Sequence, residues 1–159
     1  MIKISVINRQ YGFWLLEFFI SLIIIGVLSV IAIPIYQSYM VRAKIGEVIG
    51  LTTAVKLSVA EYYSYYGHFP INHEQVNFKT SGKYTTNITI DKGAITGQLK
   101  SENPKLNGLS LTLRPALSEN DLPKVIRWTC GYAQPPAHFN IQGENRTNIP
   151  PEYLISICR

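Results

Sequence analysis

Between Phe13 and Tyr36 the chain is apolar at almost every position, and Glu17 is its one charged residue. That is about the length a helix needs to cross a bilayer. From Gln37 onward the pattern becomes amphipathic. Ile45, Val48, Ile49, Thr52, Val55, Val59, Tyr62, Tyr63 and Tyr66 recur at steps of three and four, while Arg42, Lys44, Glu47, Lys56 and Glu61 fall mostly off that stripe. Gly67 supplies a helix stop and Pro70 forbids continuation. One helix from Trp14 to Tyr66 would run about 80 Å at 1.5 Å per residue. No core that this chain can build covers such a length, so the first half belongs in lipid or among helices of other copies. Gly26 and Pro34 are its weak points, the second because proline removes a backbone bond and crowds the preceding turn.

Residues 67–83 have no period and read as a loop. Strand signals follow at Tyr84–Ile90, Ala94–Leu99, Leu109–Leu113 and Val125–Tyr132, with Asp91-Lys92-Gly93 as a turn and Asn-Pro and Asn-Gly breaks between the second and third. The economical arrangement is an α+β fold: a meander of four antiparallel strands with one face laid on the helical stripe.

Composition adds a soluble, tyrosine-rich head to the greasy stem, with ten tyrosines in the chain. The formal charge is +5, and removing Lys3 and Arg9, which lie upstream of Gly12, takes it to +3. That balance permits DNA as a partner without indicating it, because no basic stripe is visible in one dimension. Two cysteines, Cys130 and Cys158, lie beyond the apolar run. An even pair there fits one disulfide in an oxidising compartment, and two separate buried thiols are the alternative. No catalytic set, cofactor motif or metal site emerges. His68, His73 and His138 lack ligand spacing, and neither a nucleophile motif nor a phosphate-cradling glycine loop occurs. Asn87-Ile88-Thr89 and Asn145-Arg146-Thr147 match the N-glycosylation acceptor pattern, a three-residue motif that also arises by chance. The tyrosines at 62, 63, 65 and 66 fit the margin of an amphipathic helix better than a base-stacking platform.

The first 36 residues admit three readings. A secretory signal has Lys3 and Arg9 as its basic region and Val30-x-Ala32 as a cleavage pattern, but its apolar region is too long and Glu17 interrupts it. A plain membrane anchor leaves Glu17 unexplained, although an acid in hydrocarbon costs roughly 2.5–3.5 kcal/mol on insertion scales.

The third reading is a resemblance. Gly12 followed by an aromatic residue, Glu17 at the fifth place after it, and an uncharged span closing in IAIPIYQSYMVRAKI resemble the class III signal of type IV prepilins. Gly12, Phe13, Glu17, Gly26, Pro34, Tyr36, Gln37, Tyr39 and Arg42 match. Trp14 in place of a small polar residue, and Phe18-Phe19 in place of aliphatics, depart from the pattern. Gly67-His68-Phe69-Pro70 is similar to the turn that closes the long pilin helix, and Trp128-Thr129-Cys130 with Cys158 is similar to the pilin final strand and its bonded loop.

The resemblance implies a leader at 1–12, a transmembrane and filament-core helix at 13–36, its amphipathic half at 37–66, an αβ-loop at 67–83, a sheet at 84–132 and a disulfide-bound region at 130–158. It implies cleavage after Gly12 by a prepilin peptidase, N-methylation of Phe13, Glu17 as the assembly contact, and a softened segment from Gly26 to Pro34. The cysteine-bearing side is the oxidising one, so the leader is cytoplasmic and the precursor spans the inner membrane once. The implied product is the structural subunit of a surface fimbrium serving adhesion, twitching motility or DNA uptake. The implied partners are its own copies, membrane lipid, inner-membrane assembly machinery, minor pilins and an unnamed receptor. A minor pilin or type II secretion pseudopilin is the nearer alternative, and an anchored or secreted binding module without polymer role the more distant one.

Overall fold

A computed structural model describes residues 10–78, 81–118 and 125–159. Most of the 1–12 leader, residues 79–80 of the αβ-loop and residues 119–124 of the sheet segment therefore lie outside the described residues. The chain divides into a first unit that ends at Tyr39 and a second, Met40–Arg159. One helix, α1 (Gln10–Tyr66), contributes to both and continues through Gly26 and Pro34.

In the first unit, eighteen large apolar side chains between Phe13 and Tyr36 are exposed. The hydroxyls in this stretch are satisfied within the helix: Ser21 Oγ donates to the Glu17 carbonyl at 2.9 Å and Ser29 Oγ to the Ile25 carbonyl at 2.7 Å. Serines that bond back to the preceding turn present little unmet polarity to hydrocarbon. At its far end α1 stops where the periodicity does. Gly67 adopts φ +73° and its N–H donates to the Tyr63 carbonyl at 2.9 Å, a left-handed cap that residues with a Cβ adopt only with strain.

In the second unit, α1 packs on an antiparallel sheet of β1 (Thr85–Asp91), β2 (Ala94–Leu99), β3 (Ser110–Ser118) and β4 (Ile126–Cys130) in that spatial order. The β1–β2 connection is two residues, Lys92 at φ +48° and Gly93 at +82°, the pair of positive angles that matches strand twist in a tight hairpin. Ile45, Val48, Val55 and Val59 from α1 meet Ile88, Ile90, Ile95, Leu99, Leu111 and Leu113 from the sheet, all buried. Gly97 lies under α1 at the level of Val48 and Thr52, where any Cβ would strike both side chains. Thr52 is fully buried within the stripe, its hydroxyl donating to the Val48 carbonyl at 2.8 Å. Tyr66 leaves the stripe: it is exposed and lies against Tyr62 and His68.

Among the described residues the sheet has five strands, not four. β5 (Phe139–Ile141) pairs with Ala116–Ser118 of β3. Ala116 also pairs with Arg127 of β4, so β5 takes the opposite edge of β3, continuing the line that β2 leaves at Leu113. Pro115 explains the change of partner. It has no N–H to offer that edge, and its carbonyl accepts from Gln142 N at 2.8 Å. β3 also runs past Leu113, where the sequence reading ends the strand, because the missing donor falls where one neighbour gives way to the next.

The sheet also has a face turned away from α1. That face is covered too: Ala94, Thr112, Ala116, Ser118 and Thr129 are buried. The chain after β5 crosses over them. Gly143 seats on Ala94, where a Cβ would clash, Arg146 N donates to Thr112 Oγ1 at 3.1 Å, and Asn148 N donates to the Ser110 carbonyl at 3.1 Å. Small residues on that face let the crossing chain approach closely.

Candidate functional site

Two places carry the residues singled out from the sequence. The first is the apolar stretch. Gly12 and Phe13 lie inside α1, and Phe13 is 72% exposed. Glu17 stands one turn further along among Trp14, Phe18 and Phe19, whose rings form a short run of aromatic contacts. Both ion pairs found among the described residues are made by Arg146, in the head, and none by Glu17. A Cβ at Gly26 would touch nothing within 4 Å, and Pro34 sits in mid-helix. Chemically this is a surface built for hydrocarbon or for other apolar helices, with one acid whose partner is not in the described part of its own chain. Exposure on this scale has a physical consequence. At about 1.5–3 kcal/mol per large side chain transferred out of water, even half-burial of eighteen is worth more than ~10 kcal/mol, and monomeric soluble proteins rarely show apolar patches above a few hundred Å².

The second place is the C-terminal region. Cys130 at the end of β4 and Cys158 in the last turn are joined by a disulfide, with Cα atoms 4.5 Å apart. Cys158, Ile149 and Leu154 are all in the core, so the bonded region is anchored at several points as well as at its ends. Gly131 follows the first cysteine at φ +59°, donates to the Thr112 carbonyl at 2.9 Å and lies directly against the Cys158 carbonyl. Tyr132 N donates to that same carbonyl at 3.0 Å. Asn145 Nδ2 reaches the Gly131 carbonyl at 2.9 Å, as does Arg114 Nη2 at 3.4 Å. Burial lowers the Arg114 pKa from its ordinary value by desolvating the guanidinium.

Gly131 was not singled out from the sequence, where it reads only as a residue after a cysteine. Its φ and its contact leave no room for a side chain. Gly131→Ala should destabilise the head by about 2 kcal/mol or more, from left-handed strain plus a backbone collision, read as a lower urea midpoint for the full chain in detergent. Glu47 was likewise placed off the buried stripe. Its Oε1 accepts from Tyr84 N at 2.8 Å and from Thr85 Oγ1 at 3.2 Å, pinning the start of β1 to α1. Lys44 and Lys56, also read as off the stripe, lie over the rings of Tyr84 and Trp128 at 5.3 and 5.8 Å.

Comparison with known proteins bears on both places. The profile of the pilin family, described as the bacterial filament pilin, matches residues 41–159. A type IV major pilin protein PilE1 of Neisseria gonorrhoeae is 31% identical, over 94% of this chain and 87% of that protein. A fimbrial protein of Neisseria meningitidis serogroup B is 34% identical over 77% and 73% of the two chains, and the fimbrial protein EcpC of Eikenella corrodens 29% over 94% and 91%. The long helix on an antiparallel sheet with a C-terminal disulfide is the α+β arrangement of that family. The chain belongs to the pilins.

Proposed function

We propose that this chain is the structural subunit of a type IV pilus, held in the inner membrane by its apolar stem and then packed, copy upon copy, into a surface filament. The observation that carries the reading is the stem itself: residues from Phe13 to Tyr36 expose apolar side chains all round the helix. A helix apolar on every side is stable only when surrounded, by lipid or by other helices. The family relatives, named as major pilins and fimbrial proteins, make the second surrounding the destination.

In this reading a prepilin peptidase cuts after Gly12 and the new amine of Phe13 is methylated. Glu17 of an incoming subunit then meets the Phe13 amine of its neighbour, so an acid that is costly alone in lipid becomes one half of a pair. Gly26 to Pro34 is the segment that loosens when stems pack. The same contact repeated from copy to copy does not close on itself, and so gives an open helix. The work done is mechanical and adhesive, outside the cell, with the sheet, the αβ-loop and the bonded region facing outward. Shearing filaments from the producing cell and weighing their composition tests this. The chain should be the dominant protein of the fibre. A trace amount would make it a minor pilin, and its absence would remove the polymer role.

A further inference from the structure

Around Tyr84 the head gathers three lysines that the proposed stem contacts do not use. Lys44 sits at the margin of the buried stripe of α1, half-buried, with its ammonium 5.3 Å from the centre of the Tyr84 ring. Lys83 Nζ stands 5.0 Å from the same centre. Lys100 follows β2, and its N–H donates to the Tyr84 carbonyl at 2.8 Å, which fixes its position beside the other two. The three lysines, with Tyr84, Met40, Ser101, Glu102 and Asn107, line a depression of about 590 Å³ open to solvent. Among the described residues no acid lies within ion-pair distance of any of the three, Glu102 included. Glu47, the other nearby acid, already accepts from Tyr84 N and Thr85 Oγ1.

Two ammonium groups drawn to one aromatic ring, with a third beside them, repel each other in the absence of an anion. The arrangement therefore favours a multivalent anion, and its place in the chain says which. Lys44 is only eight residues beyond Tyr36, the last residue of the apolar run. Polar headgroups begin where the hydrocarbon ends, and long lysine stems reach back toward them. We propose that Lys44, Lys83 and Lys100 form a site for the phosphate headgroup of an anionic phospholipid, which holds the head of the unassembled subunit down on the membrane surface. The site rests on the membrane-held stage of the proposed function. Extraction into a filament then requires the headgroup to be released, so the site retains subunits in the membrane as the stem does.

The test uses the full chain in nanodiscs of phosphatidylcholine alone and in discs with about a third of the lipid replaced by phosphatidylglycerol. Lysine acetylation is followed by peptide mass spectrometry, with Lys56 and Lys92 as references on other parts of the head. The anionic discs should slow labelling of Lys44, Lys83 and Lys100 about fivefold, the scale expected for a lysine held at an anionic surface, and leave the references nearly unchanged. Amide exchange at residues 82–86 should slow with them, and the K44Q/K83Q/K100Q variant should lose that slowing while staying folded, since its changes are at or near the surface. Equal labelling in both discs overturns the proposal, as does equal slowing at Lys92. Protection by inorganic phosphate in neutral discs, or by duplex DNA but not by the lipid, assigns the site to another anion and also overturns it. A chain that enters neither disc refutes the membrane stage as well, whereas one that enters both and labels equally refutes the lysine site alone.

Discussion

Glu17→Ala gives a chain that enters the membrane and folds, and is missing from the filaments. The two halves of this result have opposite signs, which makes the prediction sharp. In lipid the substitution removes an acid that costs roughly 2.5–3.5 kcal/mol, so insertion is improved. In the filament it removes one partner of the proposed pair with the Phe13 amine and leaves that amine alone among apolar stems, a loss of about 3–5 kcal/mol for a buried pair broken on one side. At about 1.4 kcal/mol per factor of ten, that is a loss in incorporation of a hundredfold or more. Glu17→Gln keeps the shape and separates charge from packing. It should fail nearly as badly as alanine, while an apolar-packing role for position 17 would let glutamine or leucine pass. Membrane fractionation and immunoblotting of sheared fibres read both halves. Normal fibre levels from the alanine variant would sink the pairing.

The second large effect is expected at the disulfide. The double variant Cys130→Ser, Cys158→Ser opens a loop of 27 intervening residues, and the chain-entropy account puts the loss at about 3–4 kcal/mol. Set against a total stability of about 5–15 kcal/mol for an ordinary domain, this is a large fraction of what keeps the head folded. Its consequences spread inward. The chain between the cysteines supplies β5, and through Gly143, Arg146 and Asn148 it covers Ala94, Thr112 and Ser110. Freed, it exposes a face of the sheet that is buried in the native head. Limited proteolysis should therefore cut first between Tyr132 and Ile157, with α1 and β1–β2 surviving longer, and reduction of the unaltered chain should reproduce the pattern. A urea midpoint that moves by less than the equivalent of about 1 kcal/mol, a third of the chain-entropy value, would mean that core anchors such as Ile149 and Leu154 hold the region without the bond.

How far the sequence could be read depended on whether the signal was local. The long helix was legible because hydrophobicity and a three-to-four period are carried by consecutive residues, and Gly67 marks its end with a φ that glycine favours. The β1–β2 hairpin was legible for the same reason, since Lys92-Gly93 holds both positive angles of the turn. β5 was not, because three residues cannot show an alternation, and its existence depends on an edge of β3 that Pro115 leaves open. The covered outer face was hidden by the very residues that permit it: Ala94, Thr112, Ala116 and Ser118 are small or polar, and no local pattern separates them from solvent-facing positions. Glu47 and Lys44 meet Tyr84 from about forty positions away, and no periodicity reports such a contact. At the stem the sequence showed which residues are out of place in water. The partner proposed for Glu17 belongs to another copy of the chain.

That partner makes the mature N-terminus the central matter, because the pairing needs a free amine at Phe13. Filaments sheared from the cell surface should yield, as their dominant protein, this chain with N-methylated Phe13 as its first residue, read from the mass of its N-terminal peptide, and with Cys130 and Cys158 in one disulfide. A dominant fibre protein that begins at Met1 or at Ile33, or fibres that lack this chain altogether, would contradict the account.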